Sequence, residues 1–148
     1  MNKGDELMFI EYKKEPYKRI GEYFFGMSRD AIKEILGNSV STTKYGYPVE
    51  DRLLDDYGFL YILYNNKSLF EAIEIYPEYT KDVIIFIYKD IRAEISTNIE
   101  QTMFALKKIS DDFIWEEDSY SSENLGMKVF CPDGKIENIL IYDKQYYD

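Results

Sequence analysis

The sequence predicts an α+β fold, an antiparallel sheet carrying two amphipathic helices, and three observations lead there. Two short stretches repeat apolar residues at helical spacing behind capping residues. Five runs rich in β-branched and aromatic residues sit between turn signals. The turns between successive runs are short, and short connections make neighbouring strands antiparallel.

The first helix spans Ser28 to Leu36. Ser28 is placed to cap it, Asp30 suits the positive end of the helix dipole, and Gly37 permits the exit. Ala31, Ile32, Ile35 and Leu36 make one apolar face, and Met27 and Ile32 have the spacing of a hydrophobic staple. Strands follow at Phe59 to Tyr64, Leu69 to Tyr76 and Val83 to Tyr88, with Asn65-Asn66-Lys67 as the connection between the first two. The second helix begins at Asn98, with Gln101 at the reciprocal capping position and a stripe of Ile99, Met103, Leu106 and Ile109. Two more strands, Leu125 to Cys131 and Ile136 to Tyr142, flank a Pro132-Asp133-Gly134 turn.

Each predicted hairpin follows one helix, so the chain reads as a duplicated helix-plus-meander unit. No Pro- or Gly-rich tether divides it, and residues 1–148 are expected to form one domain. The Ser39 to Leu54 connection and the polar stretch Glu116 to Asn124 read as irregular segments, where binding residues concentrate.

Fifteen tyrosines, no histidine and a net charge of −10 on 148 residues restrict the function more than any motif does. Without histidine the usual general base, the Ser-His and Cys-His dyads and the commonest transition-metal ligand are all missing. No Gly-rich phosphate loop, paired-cysteine motif or complete calcium loop occurs, so no cofactor and no metal are expected. The acid excess repels phosphate backbones and anionic lipid, which argues against direct nucleic-acid or membrane binding. Lys3, Asp5, Glu6 and Glu11 interrupt the opening residues where a signal peptide would need an apolar run. A single cysteine, Cys131, in a half-apolar strand reads as a reduced structural thiol, and the expected compartment is the cytoplasm.

Carboxylates are the remaining chemistry. Pairs such as Glu71 with Glu74, or Asp111 with Glu116, have the residue types for acid and base roles, though so many acids produce pairs by chance. Two patches combine carboxylates with aromatics instead. One comprises Asp111, Asp112, Glu116, Glu117, Asp118 and Glu123 with Trp115 and Tyr120 interleaved, and no Lys or Arg occurs from residue 109 through 127. The other holds Glu50, Asp51, Asp55 and Asp56 beside Tyr45, Tyr47 and Tyr57. Tyrosine supplies large contact area at low entropic cost, while carboxylates steer a basic partner and pair with its Lys and Arg. The terminal run from Tyr142 to Asp148 is a third contact element, or packs back onto the sheet.

The helix start Phe25-Gly26-Met27-Ser28-Arg29-Asp30 leading to Gly37, and the closing Pro132-Asp133-Gly134-Lys135-Ile136-Glu137 hairpin, resemble in organisation the immunity proteins of bacterial polymorphic-toxin and contact-dependent growth-inhibition systems. The resemblance implies a stoichiometric inhibitor, with no turnover, whose acidic aromatic surface occludes a cognate protein toxin, often a cationic domain. It transfers no individual residue. Two other classes remain open at this point: an intracellular regulatory or scaffold protein with a basic partner, and a carboxylate-dependent hydrolase.

Overall fold

The computed structural model describes residues 8–147; Lys3, Asp5, Glu6 and Asp148 lie outside the described residues. The chain opens with β1 (Phe9–Glu15), β2 (Arg19–Ile20) and β3 (Tyr23–Phe24), then α1 (Arg29–Leu36). A meander follows: β4 (Ser41–Tyr45), β5 (Arg52–Asp56), β6 (Leu60–Tyr64) and β7 (Phe70–Ile75). After β8 (Val83–Tyr88) and β9 (Ile91–Ile95) comes α2 (Ile99–Leu106). A second meander closes the chain: β10 (Ile114–Glu116), β11 (Ser119–Ser122), β12 (Met127–Phe130) and β13 (Asn138–Tyr142). The α+β class holds, and each helix is followed by a four-stranded meander.

The two meanders join through their last strands. β7 and β13 pair antiparallel, with Ile139 opposite Ile75 and Ile141 opposite Ile73, and the sheet order is β10-β11-β12-β13-β7-β6-β5-β4. A second sheet has the order β3-β2-β1-β8-β9, in which β1 and β8 run parallel. The antiparallel rule covers only strands joined by short turns, and β1 and β8 are separated by the whole first meander.

One buried cluster links Tyr12, Ile84 and Phe86 of the smaller sheet to Ile62, Ile73, Val129 and Ile139 of the larger, with Ile32 of α1 and Met103 and Leu106 of α2. The remaining face of the large sheet, here called outer, carries a second cluster of Leu63, Ala72 and Leu140 under Tyr45, Tyr61, Tyr142 and Tyr146. A bulge helps to dress that face. Tyr64 pairs with Phe70 while Leu63 pairs with Ala72, so Glu71 is the inserted residue. Its buried carboxylate accepts from Tyr45 Oη at 2.5 Å and Arg52 at 3.2 Å.

The helix caps follow the sequence. Ser28 Oγ accepts from the Ala31 N–H at 3.2 Å, and Asn98 Oδ1 from the Gln101 N–H at 2.9 Å. The reciprocal bond assigned to Gln101 is replaced, because the Asn98 N–H donates to Ser96 Oγ at 3.1 Å. α2 ends at Leu106, one turn before Ile109. Both segments read as irregular contain strands: β4 and β5 in the first, β10 and β11 at the second. β4, β5 and β11 carry polar residues on both faces and β10 is only three residues long, so no apolar period marks them, and ladder pairing stabilises them instead.

Asp55 is fully buried against α1. Arg29 donates to it through Nε at 2.8 Å and a terminal nitrogen at 2.9 Å, and Thr42 Oγ1 donates at 2.6 Å. Burial would raise its carboxyl pKa, but the Arg29 and Thr42 bonds outweigh that and hold it below the usual range. Removing one member of a buried pair strands the other. Asp55→Ala therefore lowers unfolding free energy by about 3 kcal/mol, the low end of the buried-pair range because Arg29 keeps some water contact, as read by urea denaturation.

Lys14 on β1 is 3% exposed, its ammonium has no hydrogen-bond partner, and burial pushes its pKa down to about 7. An unfolded lysine titrates near 10.4. The cost of burying its charge is thus fully present below about pH 7 and fades as pH rises toward the unfolded value. Between pH 6.5 and 9 the native protein gains about 2–3 kcal/mol relative to Lys14→Met, measured by parallel denaturant titrations.

Candidate protein-binding surface

The densest run of acid in the sequence folds into the β10–β11 hairpin. A two-residue loop, Glu117-Asp118, joins the strands, with Glu117 in the left-handed region at φ 55°. Glu116 faces Ser119 across the ladder, Trp115 faces Tyr120 and Ile114 faces Ser121. Alternation then divides the hairpin. Ile114 and Glu116 lie on the outer face in line with Lys128 and Phe130 of β12, while Trp115 and Tyr120 lie on the opposite side in line with Val129.

Trp115 keeps 49% of its surface exposed and rests on Tyr120 with ring centroids 4.7 Å apart. Lys107 of the segment after α2 sits 5.6 Å above the Tyr120 ring. The indole is therefore at a sheet edge and outside the core.

Asp112 is a structural anchor. Its carboxylate accepts from Ser110 Oγ at 2.6 Å, Ser122 Oγ at 2.5 Å and the Asn124 N–H at 2.9 Å, tying the approach to β10 to the end of β11. Burial pushes its pKa up, yet these three donors prevail and hold it below the ordinary carboxylate value. Asp111 is exposed and lines a separate concavity of about 660 Å³ with Lys107, Lys108 and Asn124, where cations offset it.

The other acids of this segment gather on the outer face. Glu116, Glu117 and Asp118 line a groove of about 540 Å³ with Lys128 and Phe130. An adjoining groove of about 410 Å³ is lined by Asp112, Ile114, Glu116 and Glu123 with Tyr142 and Tyr147. Glu116 and Lys128 belong to both grooves, so the two are continuous. The C-terminal tyrosines pack back and also form the wall: Tyr147 meets Tyr142 at 5.1 Å, and Lys128 stands 5.6 Å over Tyr147 and over Phe130. Lys128 and Phe130 were not singled out in the sequence. Only cross-strand register brings them beside Glu116.

The structure divides the second predicted patch. Asp55 and Asp56 are adjacent on a strand, so they point to opposite faces, and Asp55 is the buried partner of Arg29. Asp56 accepts from the Gly58 N–H at 2.7 Å, and Tyr57 Oη donates to the Gly37 carbonyl at 2.9 Å. Tyr47, Glu50 and Asp51 are exposed in the connection between β4 and β5. β5 also lies six strand spacings from β10, about 29 Å along the sheet, which separates Asp51, Asp56 and Tyr57 from the acidic grooves.

Of the carboxylate pairs, Glu71 and Glu74 have local duties, while Asp111 and Glu116 line different concavities. Glu71 is held by Tyr45 and Arg52, and Glu74 accepts from Tyr76 Oη at 2.6 Å. Among the described residues, no three carboxylate or thiol groups come together as a metal site requires. Cys131 is buried, and burial, with Asp118 nearby, pushes its thiol pKa up.

Asp112→Ala removes three bonds from one carboxylate at once. Amide exchange at Asn124 and Leu125 accelerates, stability falls by about 1–3 kcal/mol, and near-native exchange at both amides would disprove the anchoring role. No protein-family model, curated protein or solved structure matches this chain.

Proposed function

We propose that this chain is an immunity-type binding protein that neutralises a cognate bacterial toxin by stoichiometric occlusion, with the acidic outer face of the β10–β12 region as its docking surface. The observation that carries the reading is the continuity of the two grooves, in which Asp112, Glu116, Glu117, Asp118 and Glu123 share walls with Phe130, Tyr142 and Tyr147. Among the described residues, Lys128 is the one cation in their lining. Carboxylates there attract a basic protein from a distance, and the rings supply apolar contact once water has left. Occlusion of this kind uses no turnover and no cofactor.

The charge of the rest of the molecule reinforces the local field, since 28 Asp and Glu against 18 Lys and Arg give a formal net value of −10. Capture of a basic domain is thus fast and salt-sensitive, whereas release depends on the buried aromatic contacts.

Growth rescue is the direct test: co-expression with the variable C-terminal domain of a secreted toxin encoded beside this chain restores survival, and death despite soluble, folded protein sinks the reading. For the surface, Glu116→Lys combined with Glu117→Lys and Asp118→Lys slows association with that domain at least about tenfold at low salt and changes dissociation far less. Stopped-flow traces across a salt series give both rates. Association that is indifferent to salt and to the triple reversal removes the grooves from the interface.

A further inference from the structure

The two sheets end in four edge strands among the described residues: β3, β9, β4 and β10. Open edges invite pairing with other chains, and proteins blunt them with charge, extreme shortness, bulges or proline. β3 is two residues long, β9 carries Arg92 and Glu94, and β4 carries Lys44 at an exposed position. β10 is a three-residue edge, Ile114-Trp115-Glu116, exposed at all three positions; its one charge is the acid Glu116, and it has no Lys, Arg, Pro or bulge to turn a basic strand away. Ile114 keeps 62% of its surface and Trp115 49%.

The backbone on the open side is also available. In a hairpin with a two-residue loop, the residues flanking the loop are a hydrogen-bonded pair, and such pairs alternate along the ladder. Glu116–Ser119 and Ile114–Ser121 are thus the bonded pairs, so the Trp115 N–H and C=O point outward. Among the described residues, no other backbone bond is made to these two groups.

We infer that β10 receives an extended, basic segment of the partner protein as a ninth strand of the large sheet, with Trp115 at the centre of the added pairing. This deepens the function proposed above and rests on it. Charge selects the occupant. A second copy of this chain would bring its own net charge of −10, with a further Glu116, Glu117 and Asp118, to the same edge, and surfaces of like charge repel. A segment alternating cationic and apolar residues fits both sides: an apolar residue opposite Trp115 packs on the indole, and its two cationic neighbours fall on the outer face beside Glu116 and the acidic grooves. Since β10 is short, three or four residues pair, and side chains on both faces supply the remaining affinity.

The chain's single tryptophan is itself the reporter. The probe is an acetylated, amidated octapeptide of alternating lysine and valine, titrated into the whole protein at low salt. Tryptophan emission changes saturably, and exchange of the Trp115 amide slows at least about fivefold. The same peptide N-methylated at its valines keeps charge and side chains but loses the N–H groups that face β10, and it binds at least about tenfold more weakly. Equal binding of both peptides, with strong salt dependence and unchanged Trp115 exchange, overturns strand addition and leaves the acidic docking surface standing. Binding of neither peptide overturns strand addition too, and the growth-rescue result then judges the docking surface alone.

Discussion

The antiparallel pairing of β7 with β13 is the constraint on which the architecture depends. Each meander ends in a strand with a nearly unbroken apolar inner row, Ile73 and Ile75 in one, Ile139 and Ile141 in the other. Neither row can be buried within its own meander. Joining them makes one wide sheet whose inner face closes on the smaller sheet, α1 and α2, and it drives β4 and β10 to opposite ends. The distance between the two acidic segments and the presence of an outer face both follow from that single contact.

The outer face is where the fold departs from a simple two-layer arrangement. It holds a thin apolar floor of Leu63, Ala72 and Leu140, too small to bury a further layer, and tyrosines cover it. Their rings exclude water from the floor and their hydroxyls find partners: Tyr45 donates to Glu71, and Tyr76 donates to Glu74. Burial and neighbouring carboxylates push the Tyr45 and Tyr76 pKa values upward, so both phenols stay neutral and able to donate at physiological pH. A face built this way is stable without a partner and still presents aromatic area to one. The tyrosine-rich composition, read first as binding surface, therefore has a structural half, with Tyr45 and Tyr146 serving the fold and Tyr142 and Tyr147 also lining the grooves.

Charge is apportioned in the same manner. Asp55 and Asp112 are acids consumed by structure, one locking α1 to the large sheet through Arg29, the other holding the loop before β10. Glu116, Glu117, Asp118 and Glu123 have no such duty on the outer face and are exposed. Counting carboxylates along the chain cannot separate the two groups, because the difference lies in what stands opposite each one after folding.

The helices were legible because their determinants are local: Ser28, Gly37 and Asn98 act within a few residues of themselves, and the structure uses each where the sequence places it. The central strands were legible for a similar reason, since residues buried on a sheet must be apolar at recognisable spacing. β4, β5, β10 and β11 were not, because they carry no apolar period and their partners are strands elsewhere in the chain. The acidic hairpin could be read as a candidate, but its grooves required Lys128 and Phe130 to arrive through strand register, and the Asp51–Tyr57 segment was divided by the pleat. Composition and local spacing thus determined the fold class, the caps and the sign of the surface. Long-range pairing decided which acids share a face, because the side of a sheet on which a residue lies depends on its partner strand as well as on its neighbours in sequence.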